Sequence, residues 1–208
     1  MDALEILAEA SSPKAQQIIA AARKAFLDTG FGETSMDLVA KSAGVSKATL
    51  YAHFTNKQAL FGAVIAEECN RTAGSLFDPG SDGNDVRQTL TRLGRNFCDM
   101  VLDPVKLSGY RVVVAEAGRF PELGEAFYRA GPARVVAGLA AYLERMTAQG
   151  RLDVPHAKLA ASQFLGMIKA DHYMRRLFGI ADGAGDPSPA DAVDAAVEVF
   201  LRAYAARG

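Results

Sequence analysis

Lys47, Thr49, Tyr51 and His53 place a cation, a hydroxyl, a phenol and an imidazole within residues 47–53. Groups of these types bond to phosphate oxygens and to the edges of bases. Ala48 and Ala52 lie among them and keep the surface small, so that backbone can approach a flat partner closely. Leu50 and Phe54, spaced i, i+4, are the residues this stretch buries. Lys57 follows past the next turn, where Thr55 and Gln58 have the S/T-x-x-E/Q spacing of a capping box. The chemistry implied is recognition of a nucleic acid rather than the making and breaking of bonds.

Other reactive side chains are scattered. His53, His156 and His172 form neither an H-x-x-x-H pair nor a Cys/His cluster, so no metal site is expected. No nucleophile-elbow or phosphate-loop pattern occurs, and Gly183-Ala184-Gly185 sits in a Pro/Asp/Ser-rich loop read as a flexible connection. An enzyme would have to draw on Glu116, Asp171 and His172, for which ion pairs (Glu116 with Arg119, Asp171 with Arg175) are the competing reading. Neither enzymatic activity nor a cofactor is expected. Cys69 and Cys98 lack C-x-x-C spacing and are read as small buried residues, with a thiol switch as the alternative. The start MDALEILAEA has no basic end or apolar core of a signal peptide, and no apolar run approaches the roughly 20 residues that span a bilayer. The expectation is a cytoplasmic protein with no membrane contact.

The elements that must position these groups are legible around them. In SMDLVAKSAGVSKATLYAHFTNK, residues 35–57, Met36, Val39, Ala40 and Ala43 fall at i, i+3, i+4 and i+7, one face of a helix. Gly44 then offers the left-handed backbone that a sharp helix end requires. Val45 is apolar enough to plug between two helices, and Ser46 is a preferred N-cap for the second. A Gly-turned helix pair is also an ordinary αα corner; the exposed set above points to the major groove of DNA. Charge agrees weakly. Residues 14–57 carry six cations (Lys14, Arg23, Lys24, Lys41, Lys47, Lys57) against three acids (Asp28, Glu33, Asp37), in a chain whose formal net charge is −1.

Downstream, helical patterns follow one another. A long connecting helix is expected over 57–77, a break at Asp78–Gly83 and a helix over 84–102. Tyr110–Ala115 has strand propensity but no partner strand, so it is read as a buried helix. Val135, Val136, Leu139, Tyr142, Leu143 and Met146 give another stripe. Residues 156–178 are apolar almost all round in their first half, and the final helix, 189–206, carries an apolar stripe from Val193 to Tyr204. A helix apolar on every side must be covered on every side, and a second copy of the chain is the natural cover. Leu165, Val193, Val197, Phe200, Leu201 and Tyr204 are therefore expected at a homodimer interface.

Residues 34–61, TSMDLVAKSAGVSKATLYAHFTNKQALF, resemble the N-terminal reading head of the TetR family of bacterial transcriptional regulators. The matching residues are Ala40, Ala43-Gly44-Val45-Ser46, Thr49-Leu50-Tyr51, His53-Phe54, Lys57 and Ala59-Leu60-Phe61, extended back through Ile18, Ile19, Ala22, Phe26 and a terminating Gly30. VVVAEAGRFPELGEAFYRAGP and QFLGMIKADHYMRRLFG are similar to the ligand domain of the AefR-like branch. The resemblance implies an all-α fold: an N-terminal extension over 1–12, a three-helix helix-turn-helix domain over 13–60, and a helical ligand-binding and dimerisation domain over 61–208. It implies that Lys47, Ala48 and Tyr51 face base edges and that Ser35, Thr49, His53 and Lys57 hold phosphates. Relatives often carry glycine or a bulkier residue where Ala48 stands and a bulky one at Ala52, which limits base contacts here to methyl packing and leaves the bases read open.

It implies, further, a homodimer that binds a near-palindromic operator in double-stranded DNA, acts as a repressor, and is released by a small lipophilic effector. The pocket for that effector would be lined by Phe97, Val101, Tyr110, Val114 and Phe127, together with Tyr142, Phe164, Ile168 and His172; plain core is the competing reading of each. A helical carrier or small-molecule-modifying protein without DNA binding is the rival function, and the intact turn motif speaks against it.

Overall fold

The computed structural model describes residues 12–76, 85–183 and 185–206, with backbone alone over 69–76. The expected extension over 1–12 lies outside these residues except for Ser12, and so do the Asp78–Gly83 break, the Cys69 thiol and Ala184. The described residues are all-α: α1 Pro13–Glu33, α2 Met36–Ser42, α3 Lys47–His53, α4 Lys57–Leu76, α5 Val86–Leu102, α6 Pro104–Ala117, α7 Pro121–Ala130, α8 Pro132–Ala148, α9 Ala157–Leu177 and α10 Pro189–Tyr204. Among them the one β pairing is an antiparallel bridge between Leu152 and Ala205.

The chain divides into two compact units that are not continuous in sequence. One comprises Met1–Arg71 with Gly109–Gly131, the other Thr72–Ser108 with Pro132–Gly208.

In the first unit, Ser12 caps α1 by accepting the Ala15 N–H, and Pro13 takes the first helical position, where its missing N–H costs nothing. Gly30 breaks the helix at φ +82°, and the Thr34 hydroxyl donates to its carbonyl at 2.7 Å. Ile18, Ile19, Ala22 and Phe26 of α1 meet Val39 of α2, Leu50 of α3 and Leu60, Phe61 and Val64 of α4, with Val113 and Leu123 completing the core. Phe26, Phe31 and Phe61 form a ring triangle with centroids 4.9–5.6 Å apart. Tyr110–Ala115 is helical as expected, but of its three valines only Val113 is buried. Val114 is 57% exposed, because a single helix face is all that this core covers.

In the second unit, α5, α8, α9 and α10 pack around Leu90, Phe97, Leu139, Leu143, Phe164, Ile168, Val193 and Phe200. Gly94 allows the close crossing of α5: a Cβ there would lie 2.8 Å from Val193 Cγ1 and 3.2 Å from Ile168 Cδ1. Asp85 caps α5, and Ser188 with Asp191 forms a reciprocal capping box on α10. Inside α9 the backbone breaks at Ala170, with φ 38° and ψ −141°.

Candidate nucleic-acid interface

The turn motif is built as its sequence asks. Ser35 caps α2 by accepting the Leu38 N–H at 3.1 Å. Gly44 turns the chain at φ +62°, while the N–H groups of Gly44 and Val45 close onto the carbonyls of Lys41 and Ala40. Ser46 accepts the Thr49 N–H at 3.0 Å, and its hydroxyl lies 2.8 Å from that of Thr49. Leu50 and Phe54 are buried, which leaves Lys47, Ala48, Tyr51 and Ala52 on the outer surface of α3, with Tyr51 48% exposed. Thr49 and His53 are half-buried at its flanks, and Ser35 is exposed at the start of α2. All seven residues expected to meet DNA therefore lie on or beside the turn motif.

Both lysines among them also have partners inside the protein. Lys47 Nζ lies 2.6 Å from Asp37 Oδ2, and this hydrogen bond, with the carboxylate's charge, holds the ammonium above its ordinary pKa. Lys57 donates to the carbonyls of Phe31 and Gly32 at 2.7 and 3.0 Å and sits 4.5 Å from the centre of the Phe31 ring. Its ammonium thus ties the start of α4 to the end of α1, a positioning role that spacing alone did not announce. The capping of α4 also differs from the expected Thr55–Gln58 box: Asn56 accepts the Ala59 N–H at 2.8 Å, because the helix begins at Lys57 and Asn56, not Thr55, stands at its N-cap.

Other positioning residues escaped the sequence reading. Gln17 of α1 donates to the Ala43 carbonyl at 2.6 Å, which docks the turn onto α1. Arg23 and Glu67 pair at 2.8 Å between α1 and α4. A polar residue one turn from an apolar stripe is the signal available for each, and it is a common one.

Away from the turn motif the expected residues fall into separate groups. Phe97, Tyr142, Phe164 and Ile168 are buried in the core of the second unit, with Val101 partly buried against it. His172 is buried and pairs with Asp182 at 3.3 Å. Tyr110 and Phe127 belong to the first unit, where their rings meet at a tilt of 51° with centroids 5.6 Å apart. Val114 is exposed in that unit.

The residues expected at a dimer interface are distributed between the core and the surface of the chain's own bundle. Leu165, Val193, Val197 and Phe200 are buried inside the chain's own bundle, because α5 and α8 cover the faces thought to want a second copy. Leu201 and Tyr204 are half-buried, and the apolar residues that α9 and α10 leave uncovered include Leu159 and Val199, 55% and 54% exposed.

Of the ion pairs weighed against catalysis, Asp171–Arg175 is formed, whereas Arg119 lies over the Phe120 ring. Cys98 is buried, and desolvation pushes its thiol pKa up. Among the described residues no three His, Cys, Asp or Glu side chains cluster as metal ligands, and no helix is long and apolar enough to cross a membrane.

Comparison with known proteins agrees with this geometry. Residues 18–64 match the family described as bacterial regulatory proteins, tetR family, and residues 88–206 match the AefR-like transcriptional repressor, C-terminal domain. The solved structure of a TetR-family regulator from Mesorhizobium loti shares 32% identity, covering 94% of this chain and 100% of that one, at a TM-score of 0.82. The flavonoid-responsive regulator FrrA shares 32% identity over 94% of this chain and 98% of its own, at a TM-score of 0.76. The HTH-type transcriptional regulator UidR of Escherichia coli K12 is 36% identical over 69 residues, 33% of this chain and 35% of UidR, so the match spans about a third of that relative's length. One family pattern takes in the turn motif and the other more than half of the chain. The protein is accordingly a member of the TetR family of DNA-binding transcriptional regulators, not an enzyme, and it carries an AefR-like C-terminal domain.

Proposed function

We propose that the protein is a homodimeric, ligand-responsive repressor that acts in the cytoplasm, reading a near-palindromic operator with residues 13–60 and binding its effector and partner copy through residues 61–208. The observation that carries the reading is the outer surface of α3. Two small residues, a phenol and a lysine sit there on a helix held by Ser46, Gln17 and a buried Leu50. One such helix in one groove discriminates poorly against a genome of competing sites, whereas two about a two-fold axis multiply the discrimination.

Repression is supported by the match of residues 88–206 to the C-terminal domain of AefR-like transcriptional repressors. A planar aromatic effector is supported by the flavonoid-responsive relative that this chain resembles along most of its length. The effector favours one spacing of the two reading heads and the operator another, so each weakens the other by the same factor.

Selection of binding sites from a random duplex library tests the proposal. Recovery of an inverted repeat, and its release on adding a flavonoid, is the expected result. Enrichment of a single unrepeated site removes the dimeric reading. Lower expression from the recovered promoter when the protein is absent removes the repressor reading.

A further inference from the structure

Lys47 opens α3, and the family resemblance assigns it to base edges, yet its ammonium is already held 2.6 Å from the Asp37 carboxylate. The two side chains are 66% and 59% exposed, so the pair does little to hold the fold together. Helix energetics do not ask for Lys47 either, because a cation in a first turn opposes the helix dipole. Asp37, in the first turn of α2, has the favourable sign for its own helix. Lys47 and Tyr51 are one turn apart on α3, so the pair closes at the edge of the surface that carries Ala48 and Tyr51.

We propose that Asp37 is a specificity-determining residue: it keeps Lys47 in a neutral pair, so that a free cation does not grip DNA at that point and the sequence is read by Ala48 and Tyr51. A lysine able to reach any phosphate adds affinity for every sequence alike, with about one more counterion released. A methyl group and a phenol at base edges add affinity for some sequences only. Asp37 therefore lowers total affinity and raises the ratio of operator to non-operator binding.

The test uses the full-length protein, its selected operator and a random duplex of equal length. Dissociation constants are measured across a range of salt for the wild type, Asp37→Asn, Lys47→Gln and the double variant. Asp37→Asn should bind the random duplex about threefold to tenfold tighter at low salt, with the salt slope steeper by about 0.9, and the operator-to-random ratio should fall. Lys47→Gln in the wild-type background should weaken both duplexes by the same factor, whereas added to Asp37→Asn it should restore the ratio. An unchanged ratio in Asp37→Asn, or a changed selected sequence in Lys47→Gln alone, overturns the proposal. Thermal melting accompanies each variant, and Asp37→Ser replaces Asp37→Asn if the latter melts lower than the wild type.

Discussion

Ala170 has a backbone conformation, φ 38° and ψ −141°, that an L side chain adopts only when its surroundings insist. Buried Ile168 and His172 flank it, and His172 and Arg176 both pair with Asp182 just beyond the helix. Glycine takes this conformation without a Cβ penalty. Ala170→Gly is therefore expected to stabilise the protein by about 1 kcal/mol after allowing for glycine's greater freedom in the unfolded chain. A higher urea midpoint at unchanged slope is the measurement. The same cluster carries a pH dependence. Hydrogen bonds from Arg176 and then His172 hold the Asp182 carboxyl below its ordinary value, so its contribution is present above the unfolded pKa and lost as pH falls through the folded one. Asp182→Asn should flatten the fall in melting temperature below about pH 4, where an ordinary aspartate takes up its proton. Neither feature was legible in the sequence, since alanine is the best of helix formers and nothing local marks position 170 for a break. Lys57 was half legible: its place in the motif announced a cation beside the reading helix, while its bonds to Phe31 and Gly32 depend on where α1 ends in space.

At the scale of elements, the 3.6-residue periodicities announced the helices well. The stripe Val86, Leu90, Leu93 and Phe97 became the buried face of α5, and Gly44 and Ser46 marked the turn between α2 and α3. What periodicity withholds is the identity of the cover. A face closed by the chain's own helices and one closed by a second copy have the same apolar signature, which is why Val193, Val197 and Phe200, buried by the chain's own helices, read as interface. Gly94 is the clearest dependent of that internal packing. Gly94→Ala would drive a methyl group into Val193 and Ile168 and should cost roughly 1–3 kcal/mol, despite alanine's better helix propensity. A chemical denaturation curve decides it. A variant as stable as the wild type would mean that α5 can back away from α9 and α10 without loss.

For the whole molecule, the burial pattern redirects the dimer test. Val197→Glu buries an unpaired charge in the chain's own core and should unfold it, so a failure to dimerise would say nothing about the interface. Leu159→Glu and Val199→Glu alter exposed positions on α9 and α10. They are expected to keep the wild-type melt as monomers and to halve the mass seen by light scattering at micromolar concentration. Both variants dimerising like the wild type would place the interface elsewhere.

The discontinuity of the first unit has a consequence for how the protein is made. Residues up to Arg71 emerge from the ribosome before the segment Gly109–Gly131 that supplies Val113 and Leu123 to the same core. At about 5–20 residues per second, the 60 residues from Thr72 to Gly131 that must follow before this unit is whole take roughly 3–12 s to synthesise. Through that interval α4 lacks Leu123 beside Gly62 and the α6 backbone at Gly109 beside Ile65, and the nascent unit is open to chaperones and proteases. An mRNA truncated near codon 75 would thus yield a fragment that holds every residue proposed to face DNA and still lacks part of the core beneath them.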